Sequence, residues 1–143
     1  MTLTEAYTLR HAIPTVEDYL GLRIAAGLSP HDRAAAEAGL PNSIVSVIVE
    51  FEGQTVAMGR VVGDGGLFFQ VVDIAVHPTH QGKGLGKGIM RDLIDRLAQK
   101  LEAPAYVSLI ADGDANHLYG RYGFLPVAPM SQGMARWLEP AAS

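Results

Sequence analysis

From Leu85 onward the apolar residues fall at Leu85, Ile89, Leu93, Leu97 and Leu101, with Met90, Ile94 and Ala98 beside them. That spacing is the stripe of an amphipathic helix and predicts one from Gly84 to Glu102. Upstream the pattern is that of strands. Ser43 to Phe51 alternates in part and is rich in Val and Ile, Glu52-Gly53 is a hairpin turn, and Thr55 to Gly63 is the partner strand. Asp64-Gly65-Gly66 turns the chain again into a long apolar strand from Leu67 to Val76. Tyr7 to Ala12 predicts a short first strand. Pro14 and Thr15 open a helix carrying Val16, Tyr19, Leu20 and Ile24, which ends near Gly27. A second, alanine-rich helix starts at Ser29-Pro30 and is closed by Gly39 and Pro41. After the long helix, Ala105 to Ala111 predicts a strand buried on both faces, and Asp112 to Tyr122 a short helix. The chain is extended from Phe124, interrupted by Pro126 and Pro129, and Gly133 to Leu138 is expected as a last strand. The order β-α-α-β-β-β-α-β-α-β predicts an α/β fold with a mixed sheet, parallel where strand, loop, helix and strand follow one another.

Composition narrows this picture. With 143 residues, 48% of them hydrophobic, the chain is expected to form one domain over 1–143 with a real core. It has no cysteine, which removes disulfides and a thiol nucleophile. The start Met1-Thr2-Leu3-Thr4-Glu5 has no cationic or apolar leader character, and no apolar run approaches the ~20 residues of a membrane span. A cytoplasmic protein without membrane contact is expected. A net charge of -4 argues against general nucleic-acid binding and suits amine ligands.

The strand ending at Val76 runs through His77-Pro78-Thr79-His80 into Gln81-Gly82-Lys83-Gly84-Leu85-Gly86-Lys87, which opens the long helix. Two phosphate loops fail by spacing. A Walker loop needs Ser or Thr after its lysine, and Gly88 follows Lys87. A dinucleotide loop needs G-x-G-x-x-G, and the third glycine falls one residue early, at Gly86. An anion site remains physically sound. The first helical turn has unpartnered N–H groups and partial positive charge, the glycines permit close approach, and Lys83 and Lys87 add cations. Taken alone, the loop fits a turn that binds nothing equally well. The spacing of His77 and His80, in a turn with a proline, does not suit a metal, and none is expected.

Two strings in the right order resemble the GNAT superfamily of acyl-CoA-dependent N-acyltransferases. The first is Gln81-Gly82-Lys83-Gly84-Leu85-Gly86, and the second is Leu118-Tyr119-Gly120-Arg121-Tyr122-Gly123-Phe124. The resemblance covers about residues 7 to 138. It implies a GNAT-like sheet with a splayed central strand pair, and acetyl-CoA as co-substrate without a metal. Gln81 to Lys87 would hold the coenzyme A pyrophosphate, namely Gln81, Gly82, Lys83, Gly84, Leu85, Gly86 and Lys87. The backbone of Ile74, Ala75 and Val76 would pair with the pantetheine arm, and the Val76 N–H would face the thioester carbonyl. Asn116 and Tyr119 would complete the cofactor contacts. Many relatives carry Asn where Asp112 stands, which departs from the pattern.

The resemblance also implies that Tyr119 protonates the departing thiolate. A phenol of pKa ~10 can donate to a thiolate of conjugate pKa ~8.5 in a dry site. The base is less defined. Asp73 stands in an apolar strand, where it is either a structural acid or a base, and Gln70 is a candidate for polarising a water. Alternation puts Gln70 and Val72 on one face and Asp73 on the other. Arg23 is a candidate partner for a substrate carboxylate. The expected reaction is direct acetyl transfer to a primary amine, with a small molecule favoured as acceptor. A non-catalytic acyl-CoA-binding sensor and acylation of a charged tRNA are the rivals. Dimers are common in the superfamily, and the C-terminal segment with Trp137 is the candidate homodimer interface.

Overall fold

A computed structural model of the chain describes residues 6–111 and 115–142. The chain divides into two compact units, Met1–Leu109 and Ile110–Ser143. The first holds β1 (Tyr7–Arg10), α1 (Val16–Ala25), α2 (Arg33–Gly39), β2 (Val45–Phe51), β3 (Gln54–Gly63), β4 (Phe68–Val76), α3 (Leu85–Lys100) and β5 (Tyr106–Ser108). The second holds α4 (Ala115–Gly120). One sheet has the order β1-β2-β3-β4-β5. Its first four strands are antiparallel, and β5 lies parallel to β4.

Local chemistry sets the turns. Glu52 and Gly53 take φ values of 50° and 78°, the left-handed pair that a two-residue hairpin requires. The Asp64 carboxylate accepts from the N–H groups of Gly66, Leu67 and Phe68, which closes the β3–β4 turn. Those three donors hold its pKa below the ordinary carboxylate value. Thr15 caps α1 by accepting from the Asp18 N–H. At the other end Gly27 is left-handed, and the Leu28 and Gly27 N–H groups bond the carbonyls of Arg23 and Ile24. This C-cap ends α1 where the glycine predicted.

Each face of the sheet is covered. On one face Tyr19 and Leu22 of α1 and Ala36 of α2 cluster with Ile48, Met58 and Ala75. On the other, α3 lies against β2, β3 and β4 and buries Leu85, Ile89, Met90, Leu93 and Leu97. Each such side chain contributes roughly 1.5–3 kcal/mol by leaving water. Gly59 makes the close approach possible: a Cβ there would lie 2.5 Å from Ile89 Cγ2.

Two expectations are corrected. The strand expected over Ala105 to Ala111 is only Tyr106–Ser108, and it is not buried on both faces. It has a single partner and leaves it after three residue pairs, so Tyr106 stays 56% exposed. No strand forms at 133–138 among the described residues, where Trp137 and Leu138 are exposed. An alternating sequence is only half of a strand, and the ladder must come from a neighbour. The start of the predicted helix at Asp112 lies outside the described residues.

Candidate active site

The site begins where β4 loses a neighbour. Phe68, Phe69 and Gln70 pair with Tyr106, Val107 and Ser108 of β5. Beyond Gln70 the strand is paired, among the described residues, only to β3, through Val71, Val72, Ala75 and Val76. The sheet therefore opens along Val71–Val76, which is the splay that the resemblance implies.

A bulge decides what this open edge offers. Met58 pairs with Ala75 and Arg60 with Val72, so the two residues Asp73 and Ile74 stand opposite the single Gly59. Asp73 takes a φ of 60°. Before the bulge, the Phe68 carbonyl accepts from Asp64 N–H on the β3 side, and the Leu67 carbonyl accepts from Tyr106 N–H on the β5 side. Even-numbered residues thus turn their backbone groups toward β3. After the bulge, His77 N–H donates to Val56 O at 2.8 Å, so Ala75 and His77 face β3 instead. Ile74 and Val76 then face the open side. Of the three residues expected to offer backbone groups, Ala75 is the exception.

The bulge also corrects the placing of Asp73. Strict alternation separates it from Gln70 and Val72, but the extra residue returns it to their face. There Asp73 Oδ1 accepts from Arg23 Nη1 at 2.5 Å and from the Tyr19 hydroxyl at 3.0 Å. Its Oδ2 accepts from Arg60 Nε at 2.7 Å. The Asp73 side chain is only 6% exposed. Burial first, then the Asp73 charge, pushes the Tyr19 phenol above its ordinary pKa. Both oxygens of the carboxylate are thus engaged by guanidinium groups, one of them also by a phenol. Arg23 is likewise committed: Nε donates to Ser29 O at 2.8 Å and Nη2 to Ser29 Oγ. It does not await a substrate carboxylate. His31 stacks on Tyr19, and burial followed by the nearby Arg23 charge lowers its pKa. Gln70 is partly buried on the same face, at the last residue paired to β5.

Arg60 is the residue that sequence reasoning missed. Its signal was present: a charge inside Ala57-Met58-Gly59-Arg60-Val61, beside a strand with one buried carboxylate. The isolated Gly59 was the matching sign of a bulge.

The loop after β4 is held from both sides. His80 Nδ1 lies 2.7 Å from the Tyr7 hydroxyl, and its ring packs on Phe51. His77 bonds Thr79 within the turn. Gln81 Nε2 donates to the Val76 carbonyl at 3.1 Å, tying the loop to the strand end. Gly82 and Gly84 have φ values of 78° and 82°, which other residues adopt only with strain. Gly84 caps α3 and supplies no side-chain acceptor. The first bond at this helix start runs from Gly88 N–H to Gly84 O, which leaves the Leu85 and Gly86 N–H groups without helical partners. A Cβ on Gly86 would meet nothing within 4 Å, so the protein's own packing does not require glycine there. Lys83 is exposed beside this turn. These residues suit a pyrophosphate held by N–H groups and the helix dipole.

Within the second unit Tyr119 lies on α4 and is partly buried. Its carbonyl accepts from Tyr122 N–H and Phe124 N–H. Asn116 lies on α4, and its side chain is outside the described residues.

Comparison with known proteins gives a consistent result. The family model for the acetyltransferase (GNAT) domain matches residues 42–126, from the entry to β2 through Pro126. A crystal structure of a protein of unknown function from meticillin-resistant Staphylococcus aureus, described as a probable acetyltransferase, is 45% identical with a TM-score of 0.88. The match covers 92% of this chain and 99% of that one. The uncharacterized N-acetyltransferase ycf52 of Porphyra purpurea is 33% identical over 84 residues, 57% of this chain and 47% of that protein. GCN5-related N-acetyltransferase 1, chloroplastic, of Arabidopsis thaliana is 36% identical over 78 residues, 53% of this chain and 40% of that one. The chain spans about half the length of the curated relatives it matches. The open strand, the uncapped glycine-rich helix start and the family match over most of the first unit agree, and the chain belongs to the GNAT acetyltransferase family.

Proposed function

We propose that the protein moves an acetyl group from acetyl-CoA to a primary amine by direct transfer. The observation that carries this reading is the one-sided pairing of β4 beyond Gln70, continuous with an N–H-lined loop whose Gly86 faces open space. The pyrophosphate would sit on the N–H groups of Gly82 to Lys87, and the pantetheine arm would pair with Ile74 and Val76. In the transfer, the amine nitrogen attacks the thioester carbonyl carbon. The oxyanion that forms accepts from Val76 N–H. The C–S bond breaks, its electron pair stays on sulfur, and the Tyr119 hydroxyl supplies the proton to it; the proton that the amine loses passes to a water polarised by Gln70, and solvent restores the phenol. A small-molecule amine is the favoured acceptor, reached from the face that carries Gln70 and His31.

A second reading, an acyl-CoA-binding module without turnover, draws support from Asp73. It is the single carboxylate of β4, and both its oxygens are engaged. A panel of amines assayed for CoA release separates the readings. Release with at least one amine is expected, and Tyr119→Phe should lower kcat by about 10²–10⁴-fold. Tight acetyl-CoA binding with no release from any amine favours the binding module. Unchanged turnover in Tyr119→Phe removes Tyr119 from the leaving-group step.

A further inference from the structure

Asp73 holds a left-handed backbone conformation that a non-glycine residue keeps only where its surroundings impose it. Three side chains from two elements impose it. Arg60 comes from β3, Tyr19 and Arg23 come from α1, and all three bond the one carboxylate. Arg23 carries the link onward to Ser29, in the α1–α2 connection, while Arg60 Nη1 reaches Ser43 Oγ. The side chains of Arg23, Asp73 and Arg60 are 10%, 6% and 15% exposed, so the cluster is largely out of water. Removing its one negative charge would leave two guanidinium groups facing each other without compensation.

We infer that Asp73, acting through Arg23 and Arg60, is a positioning residue. It pins the β4 bulge that turns Val76 N–H to the open side, and it fixes the α1–α2 connection to that same point. The bulge sets the parity of every backbone group from Ile74 to His77. Were the bulge lost, strict alternation would turn Val76 N–H toward β3 and the neighbouring N–H groups toward the open side. The kinetic part of this inference rests on the transferase reading above; the structural part does not.

Asp73→Asn tests it, since the amide keeps the shape and aims a donor at a guanidinium. The expected kcat loss is about 10²-fold, the effect of displacing reacting groups by ~1 Å, with KM for acetyl-CoA preserved. The pH profile should keep its shape. Independently of turnover, hydrogen exchange should quicken at the Ala75 and His77 amides and at the Leu28 amide, which bonds the Arg23 carbonyl where the α1–α2 connection begins, and stay unchanged along α3. Arg23→Lys keeps a cation beside Asp73 but cannot also hold Ser29. It should raise KM for the amine and quicken exchange at Leu28, leaving Ala75 and His77 protected. Unchanged kcat and unchanged exchange in Asp73→Asn overturn the inference. So does loss of the acidic limb of the pH profile with exchange unchanged, which would make Asp73 the base. If Asp73→Asn does not fold, exchange at the Leu28 amide in Arg23→Lys decides, and an unchanged rate overturns the inference. If the wild type releases CoA with no amine, the transferase reading fails while the exchange measurements still stand.

Discussion

The two ends of β4 have the same apolar character and opposite uses. Phe69–Gln70 is laddered on both sides, to β3 and β5, while Val71–Val76 is laddered, among the described residues, to β3 alone. At the first end backbone groups hold the sheet together. At the second, in the proposed function, they are left for the coenzyme, and the Asp73 bulge chooses which ones. The helices follow the same division. α3 covers one face along β2, β3 and β4, and its N-terminus stands where the open end stops. A strand thus becomes a binding surface by losing a neighbour, without any change in residue type.

Three substitutions would break or sharpen that contrast. The largest effect is expected at the laddered end. A Cβ on Gly63 would lie 2.3 Å from the Phe68 carbonyl oxygen, which is backbone and cannot step aside. Gly63→Ala should cost about 1–3 kcal/mol of stability in denaturant melts. Its acetyl-CoA affinity, measured by calorimetry on the folded fraction, should not change. The open end should respond in the reverse sense. Gly86→Ala replaces a helical glycine that has space around it, and should stabilise the protein by about 0.5–1 kcal/mol. The same methyl group should weaken acetyl-CoA binding by about tenfold or more, a loss of at least 1.4 kcal/mol in affinity. A stabilised Gly86→Ala with full affinity would show that no donor approaches this turn.

The smallest effect concerns the cationic cluster over the open end. His31 has its pKa lowered in the fold, so the unfolded chain binds more protons as the solution is acidified. The stability that His31 contributes is present above its ordinary pKa of about 6.5 and is lost as pH falls from there through the lower, folded value. Wild-type melting temperature should therefore decline below about pH 6.5, and His31→Gln should flatten that decline. An identical decline in both proteins would remove His31 from the field of Arg23 and Arg60.

Much of this was legible in the chain. The hairpin at Glu52-Gly53, the Asp64 turn, the Gly27 cap and the α3 stripe are encoded within a few residues of where they act, and local patterns report them. The glycine loop was legible for the same reason. Other features depend on a partner far along the chain. The Asp73 carboxylate reads as buried, but Arg23 lies 50 residues away and Arg60 13, and only folding brings them to it. Alternation then misplaced Asp73, because one extra residue reverses parity and a bulge is set by the facing strand. The length of β5 was overestimated because its apolar run continues after its partner has turned away.

The sequence by itself determined most of the elements and, through two spaced strings, the family. Periodicity, turn residues and helix ends are properties of neighbouring residues, so they can be read in one dimension. The tertiary structure alone decided which N–H groups of β4 face the open side, what Asp73 is bonded to, and why Arg23 is not available to a substrate. Those depend on register, and register is settled when strands, helices and buried charges must all be satisfied at once.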